Sequence, residues 1–541
     1  MAHTRLTILD LSSAGHQPMQ DPVTGNWIVH NGEIYNFRQL RGELAISHQP
    51  SAVRSENWQS QTDTEVILRA YARWGKDCLA HLRGMFAFAI WDAQRQELIL
   101  ARDRLGIKPL YYCVGDGFLL FASEVRALLA SRLVPRQLDP VALWEYLGYQ
   151  SVPAPRTLIK GVRALLPGSY LIVDADGKIT EERYWDLLKD SSSEARRATQ
   201  YESLQHVREL LREAVDLHLV SDVPIGVFLS GGIDSSAVVG LMSEAGQTPR
   251  TFSVVFTERA YDEALYARQV ARRFNTDHTE VLLKEQDLLD QLPDALAAMD
   301  QPTGDGVNTY LISRAVRDAG VKVALSGLGG DEFFGGYPSF ARLSRVARPL
   351  RLWGRMPSPL RTVTANFVRT LARESVPGAK TAAMIGGDGQ IASLFPLMRQ
   401  VLSVEQRRTL LANRWLAMID ETRDPYVRLL QEAYTCNPDA DLFARISYGE
   451  GRTYMHDVLL RDTDQMSMAH GLEVRVPLLD HKLVEYLMGL PQSAKRSNGV
   501  PKRLLVECLS DLLPREIIHR PKQGFTLPFD PWMRSALREF C

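Results

Sequence analysis

Two loops concentrate the residues that could do chemistry. The first, Ser230-Gly231-Gly232-Ile233-Asp234-Ser235-Ser236, lies between an apolar run and an apolar helical pattern. Its glycines let backbone N–H groups turn inward and its serines add hydroxyl donors. The helix N-terminus behind it adds partial positive charge, so the string makes a pocket for a polyanion. It is not a Walker A loop, because no GxxxxGK[ST] occurs in the chain. Asp234 would repel a phosphate unless a divalent cation lay between them, so its presence implies Mg²⁺. The bland alternative is a Gly-Ser turn with an aspartate capping a helix; seven residues between a strand and a helix favour the phosphate reading. The second loop runs from Leu325 through Ser326-Gly327-Leu328-Gly329-Gly330-Asp331-Glu332 to Tyr337 and again follows an apolar strand. Ligands sit at the carboxyl ends of such strands, so Asp331 is a second candidate for Mg²⁺. Alone, that loop reads equally well as a glycine-rich turn.

The elements that must hold these loops are legible as a change of rhythm. Over the first ~185 residues, short apolar segments at strand length (Leu6–Leu11, Met85–Trp91, Glu97–Ala101, Phe118–Phe121, Ser169–Val173) alternate with Gly, Asp and Pro. Helical patterns interrupt at Thr62–Trp74, capped by Thr62 or Asp63, and at Asp139–Leu147, opened by Asp-Pro. This predicts a layered antiparallel α+β domain. A polar stretch from Lys189 to Arg197 has the composition of an exposed linker. Strands then alternate with helices. Strands are expected at Pro224–Leu229, Thr251–Phe256, Thr279–Leu283 and Val321–Leu325, and helices at Leu204–Leu219, Ser235–Met242, Tyr261–Phe274 and Asn308–Ala319. That order predicts an α/β, doubly wound parallel sheet. Beyond about residue 340 the pattern is mainly helical.

Composition narrows the function. The 541 residues carry 63 Lys plus Arg against 64 Asp plus Glu, a net charge of −1, with 45% hydrophobic and 23% charged residues. A near-neutral globular chain does not bind nucleic acid or anionic membrane through bulk charge. No apolar run approaches a bilayer span. Five scattered cysteines, with no CxxC pair, suggest neither a disulfide framework nor structural zinc, and no basic-then-apolar leader is visible, so the cytoplasm is expected. Eight arginines between Arg342 and Arg373, with no acid among them, form a basic stretch that reads as solvated surface, since no aromatic interleaving accompanies it.

The strings SGGIDSS, SGLGGDEFFGGY and RDTDQMSMAHGLEVRVPLLDH resemble the asparagine synthetase family of the B type. HTRLTILDLSSAGHQPM, NGEIYN, QTDTEVIL, LRGMFAFAIWD, ARDRLGIKPLYY and FASEVRALL are similar to that family's N-terminal-nucleophile (Ntn) glutaminase domain. The resemblance implies a glutaminase domain over residues 1–185, a linker over 186–200, and a PP-loop ATP pyrophosphatase synthetase domain over 201–541 with a helical C-terminal part. It implies MgATP, attack of a substrate carboxylate on the α-phosphorus, an acyl-adenylate, and its conversion by ammonia to an amide and AMP. Ser230, Gly231, Gly232, Asp234, Ser235 and Ser236 would hold pyrophosphate, and Asp234 and Asp331 would hold Mg²⁺. Leu229, Val254, Ser326 and Gly327 match positions contacting the adenosine, and Lys502 matches a lysine that stabilises charge at the tetrahedral centre. In the first domain Arg5 matches the arginine pairing with the glutamine carboxylate. Asn31 and Gly32 match an oxyanion hole, and Glu33 and Asp63 match the acids that read the substrate amine. Small-molecule substrates (aspartate or a similar carboxylate, glutamine or ammonia) and a homodimer follow from the same likeness.

The chain departs from that pattern in two ways. The family's nucleophile is a cysteine next to the initiator Met, with its α-amino group as base. Here the chain opens Met1-Ala2-His3, and its first matching block normally lies several dozen residues downstream. The expectation is therefore an N-terminally truncated, incomplete Ntn domain that cannot hydrolyse glutamine, since Cys78 and Cys113 sit in blocks that match elsewhere. The halt at Phe540-Cys541 suggests truncation there too. Secondly, Leu328 stands where many asparagine-forming relatives carry Glu. Leucine accepts no proton, which leaves Asp331 or Glu332 as substitutes and keeps other acceptors open. The alternatives are amidation of a different carboxylate, ring closure as in β-lactam synthetase relatives, or a nucleotide-binding protein that has lost catalysis.

Overall fold

A computed structural model describes all residues except 47–57, 259, 373–374, 496–498, 521–526 and 539–541. Arg373 and Cys541 therefore lie outside the described residues. The N-terminal region is built on two antiparallel sheets. One has six strands in the order Met19–Gln20, Trp27–Ile34, Gly84–Asp92, Glu97–Arg102, Ser169–Val173, Ile179–Arg183. The other has three, Phe118–Ala122, Tyr111–Gly115 and Val162–Ala164. Strand Gly84–Asp92 shows why they stack. Its side chains alternate between faces: Phe86, Phe88 and Ile90 meet helices Phe37–Ile46 and Asp63–Trp74, whereas Ala87 and Ala89 meet Leu110, Tyr112 and Leu165 of the smaller sheet. Large residues fill the helix side and small ones let the sheets approach. Helix Val125–Ala130 covers the outer face of the three-stranded sheet through Val125 and Leu128.

The expected strand Leu6–Leu11 is not one. Its backbone groups are claimed elsewhere: the Arg5 guanidinium takes the carbonyls of Leu9 and Asp10, and the Asp10 N–H donates to Asp222 across the molecule. Asp10 has φ of 51°, which breaks an extended run. The helix expected at Thr62 does begin there, with Thr62 Oγ1 accepting from the Glu65 N–H at 3.4 Å.

The C-terminal region is a five-stranded parallel sheet in the order Asp277–Leu283, Arg250–Phe256, Ile225–Phe228, Val323–Leu325, Glu473–Arg475. Helices Gln200–His218, Ile233–Glu244, Ala264–Arg273 and Gly306–Asp318 connect and cover it. From Pro338 to Met468 the described elements are all helices, including a wide π-helical stretch at Gly451–Leu460. The fifth strand was not anticipated. It is three residues long, returns from far along the chain, and carries a fully buried arginine at its end. The polar stretch after Trp185 is exposed at Lys189 and Asp190, yet Ala195 is buried and the Ser192 N–H donates to the Glu485 carbonyl, so it docks on the second region.

The two regions are tied by buried charge. Arg83 pairs with Asp480, Lys108 Nζ lies 2.9 Å from Asp464, and Arg475 reaches Glu33. Cys78, Cys113, Cys436 and Cys508 are all free thiols. Among the described residues no helix is long and apolar enough to cross a membrane.

Candidate active site

Strand Ile225–Phe228 delivers the first loop. Leu229 is buried, its N–H donating to the Phe252 carbonyl at 2.8 Å, and Ser253 Oγ donates to the Leu229 carbonyl. The turn then needs glycine: Gly231 has φ of +67°, and a Cβ there would stand 2.6 Å from the Ala267 nitrogen. The loop braces itself. Ser230 Oγ accepts from the Gly232 N–H at 3.3 Å, and Ser235 Oγ donates to the Gly232 carbonyl at 3.2 Å. Gly232 caps helix Ile233–Glu244 with no side chain, so no side-chain acceptor competes for the N–H groups of its first turn. Ser236 Oγ is buried with no hydrogen-bond partner among the described residues. Val254 sits half-buried on the neighbouring strand Arg250–Phe256.

The second loop packs directly on the first. The Ser326 N–H donates to the Arg475 carbonyl at 2.9 Å, which registers the loop on the fifth strand, and the Leu328 N–H donates to Ser326 Oγ. Its glycines are contact points. A Cβ at Gly327 would lie 2.8 Å from Asp234 Cβ, one at Gly330 2.2 Å from Asp234 Oδ1, and one at Gly336 1.8 Å from Asp331 Oδ1. The two aspartates therefore lie against the opposite walls of one crevice. Between them is Lys502, buried and held at φ of 49°, with Nζ paired to Asp234 and 2.7 Å from Asp331 Oδ1. Burial works against its charge, but the carboxylates of Asp234 and Asp331 outweigh that and push its pKa up.

Glu332 lies behind this group. It is buried and accepts from the Tyr337 hydroxyl at 2.7 Å; burial, reinforced by Asp331, pushes its carboxyl up to about 7. Arg399 stacks on Tyr337 and Tyr454, with ring centroids at 4.6 and 4.2 Å, and pairs with the fully buried Glu450. Arg399 and Glu450 escaped the sequence reading because no local motif surrounds them; only the helical layer brings them to the loop.

Arg5, Asn31, Gly32, Glu33 and Asp63 line one small cavity of about 70 Å³ in the other region. The fork of Arg5 is held by carbonyls of its own loop, Leu9 at 2.7 Å and Asp10 at 2.8 Å. Asn31 Nδ2 donates to Ser123 Oγ at 3.4 Å. Gly32, at φ of +135°, is where a Cβ would strike the Met85 carbonyl of the paired strand at 2.0 Å. Asp63 Oδ2 accepts from the Ile34 N–H at 2.8 Å, yet burial still pushes the carboxyl up to about 6. Burial, then Asp63 and Glu473, push Glu33 well up, and burial pushes His30 down to about 3, so that imidazole is neutral. The sequence did not reveal the rest of the wall. Met468 and Glu473 come from the second region and Lys108 from the first. Arg475, fully buried, binds Glu473 at 2.8 Å and stands 3.5 Å from Glu33. Among the described residues no cysteine lines this cavity: Cys78 and Cys113 are buried in two other apolar clusters.

No cluster of three or more His, Cys, Asp or Glu able to hold a metal occurs among the described residues. Asp234 and Asp331 do fit a Mg²⁺ site, since one lysine ammonium already reaches both. Mg²⁺ is held by one or two carboxylates plus phosphate oxygens rather than by an all-protein cage.

Comparison with known proteins adds independent findings. The asparagine synthase family matches residues 206–541, and a glutamine amidotransferase domain matches residues 1–185. Asparagine synthetase [glutamine-hydrolyzing] 1 of Bacillus subtilis is 30% identical over 99% of this chain and 81% of its own length. A putative asparagine synthetase of Mycobacterium tuberculosis is 32% identical over 98% of this chain and 80% of its own. Amidase chyE of Penicillium rubens is 30% identical over 99% and 82%.

Proposed function

The chain belongs to the asparagine synthase family, and from that premise we propose that it makes an amide from a carboxylate, ATP and ammonia. Aspartate is the acceptor, and asparagine, AMP and pyrophosphate are the products. In this reading the aspartate side-chain carboxylate oxygen attacks the α-phosphorus and pyrophosphate departs. Ammonia then attacks the acyl carbon, AMP departs with the bonding electron pair, and the nitrogen sheds a proton. The uncapped amides ahead of helix Ile233–Glu244 and the hydroxyls of Ser230, Ser235 and Ser236 receive the pyrophosphate. Leu229, Val254, Ser326 and Gly327 flank the adenosine. Asp234 and Asp331 would hold Mg²⁺, which would neutralise phosphate charge. Lys502 turns its ammonium to the oxyanion of the tetrahedral centre. Glu332, with its carboxyl near neutrality, is the proton acceptor behind the loop.

We also read residues 1–185 as the glutaminase domain, 186–200 as its connection and 201–541 as the synthetase. Arg5 takes the glutamine carboxylate, Asn31 and Gly32 its oxyanion, and Glu33 and Asp63 its amine. The reading places it in the cytoplasm, as a homodimer acting on small molecules.

The observation that carries the proposal is the Lys502 ammonium held between Asp234 and Asp331 at the ends of adjacent parallel strands. The test is AMP formation from aspartate, ATP, Mg²⁺ and ammonium salt, compared with glutamine as donor. AMP with ammonium is expected, and the glutamine arm reports whether residues 1–185 supply nitrogen to the same reaction. No AMP with any carboxylate would remove the reading. Leu328, half-buried on the second loop and without a proton-accepting group, favours one alternative, a different carboxylate as acceptor. Pyrophosphate release across a panel of carboxylic acids separates the two.

A further inference from the structure

A cavity of about 610 Å³ lies away from both sites, in the helical layer. That is the size of a pocket for a small ligand. One wall is a single face of helix Pro338–Trp353, where Ser344, Ala347, Arg348 and Arg351 recur at the 3.6-residue period. The opposite wall brings Arg445 and Gln492, and Gln390 closes one end. That end is firm: a Cβ on Gly389 would lie 2.0 Å from the Leu350 carbonyl, so the turn before Gln390 sits flush on the arginine-bearing helix.

The charge in this cavity is one-sided. Arg348 and Arg351 form no ion pair or hydrogen bond through their guanidinium groups with any described residue. Arg445 is held in place instead. Its Nε and Nη2 donate to the carbonyls of Ala440 and Pro438 at 2.9 and 2.7 Å, and its plane lies over the Tyr434 ring. The one acid in the lining, Asp441, has its two oxygens occupied by the N–H groups of Ala444 and Gln492. Three guanidiniums, those of Arg348 and Arg351 solvent-exposed at the rim, thus face one carboxylate across a roomy cavity, a positive excess, and glutamine and serine side chains beside them supply neutral donors. A guanidinium fork matches the paired oxygens of phosphate and carboxylate groups.

We propose that this cavity is a binding site for a small polyanion bearing at least two acidic groups, gripped by Arg348 and Arg351 from the helix and by Arg445 from the facing wall. The helix begins at Pro338, next to Tyr337, whose hydroxyl holds Glu332, so the ligand rests on the element that continues the second loop.

The test is calorimetric titration of the full chain, its nucleotide site first saturated with a non-hydrolysable ATP analogue. Inorganic pyrophosphate is one probe and citrate the other. At least one should bind, and the stronger of the two identifies phosphate or carboxylate groups as the preferred source. In the variant R348A/R351A the affinity should fall about tenfold or more, as for loss of charge-assisted pairs. Arg355→Ala, an arginine of the same basic stretch that is exposed like Arg348 and Arg351 but does not line the cavity, should leave it unchanged. Neither probe binding, or an equal loss in Arg355→Ala and in the double variant, would overturn the site in favour of diffuse surface charge.

Discussion

The two sites handle buried charge in opposite ways. In the crevice under helix Ile233–Glu244, one ammonium, Lys502, faces two carboxylates, Asp234 and Asp331, and leaves one negative charge over. In the small N-terminal cavity, Glu33, Asp63 and Glu473 crowd against Arg475 and Lys108, and the carboxyls of Glu33 and Asp63 hold protons beyond the ordinary carboxylate range. A lysine bridge can be exchanged for a bound cation. A carboxyl whose pKa burial raises instead makes the cavity answer to pH. The difference also separates origins: the crevice is assembled within the second region, from the two loops after its parallel strands and from Lys502 ahead of helix Arg503–Cys508, whereas the cavity is shared by both regions.

The sharpest way to break this contrast is Arg475→Met. It leaves Glu33 and Glu473 buried without their guanidinium, and urea denaturation should report a loss of about 3–5 kcal/mol. Arg475→Lys should lose less, and a loss below about 1 kcal/mol for Met would mean that the bridge does not hold the cavity. Next in size, Asp234→Asn should lower pyrophosphate release with ammonium as donor by about a hundredfold or more. Unchanged release would remove the crevice assignment.

Asp63→Asn sharpens the pH side. The native Asp63 carboxyl titrates at about 6 when folded against a reference of 3.8. The folded chain thus binds the extra proton, and stability drains away as pH rises from about 4 to about 6. Asparagine keeps an acceptor for the Ile34 N–H and has nothing to titrate. The variant should therefore gain on the native chain over that window, by at most about 3 kcal/mol, and level off above it. Melting curves from pH 4 to 8 check this, and a flat difference would refute it. The smallest effect is a ligand effect. In Lys502→Met the two aspartates lose their internal cation, so millimolar Mg²⁺ should raise the melting temperature by about 2 °C more than in the native chain.

Local patterning accounts for much of the architecture. Strand Gly84–Asp92 and helix Asp63–Trp74 were readable because alternation and a threonine cap are written in contiguous residues. The segment Leu6–Leu11 looked equally apolar but forms no strand, because Arg5 and Asp222 take its backbone groups. The strand Glu473–Arg475 was hidden, since three residues ending in an arginine carry no strand signal until Val323–Leu325 lies beside them.

The residues gathered at each site follow the same division. The chain by itself determined Asp234, Asp331 and the glycines around them, because a loop that must turn tightly and point amides at a ligand declares itself in consecutive residue types. Only the tertiary structure decided that Lys502 would stand between those aspartates and that Arg475 would reach Glu33. It alone put Arg348 and Arg445 across one cavity. A charge buried far from its partner in sequence is stable only where folding supplies that partner, and neither periodicity nor spacing records which one it will be.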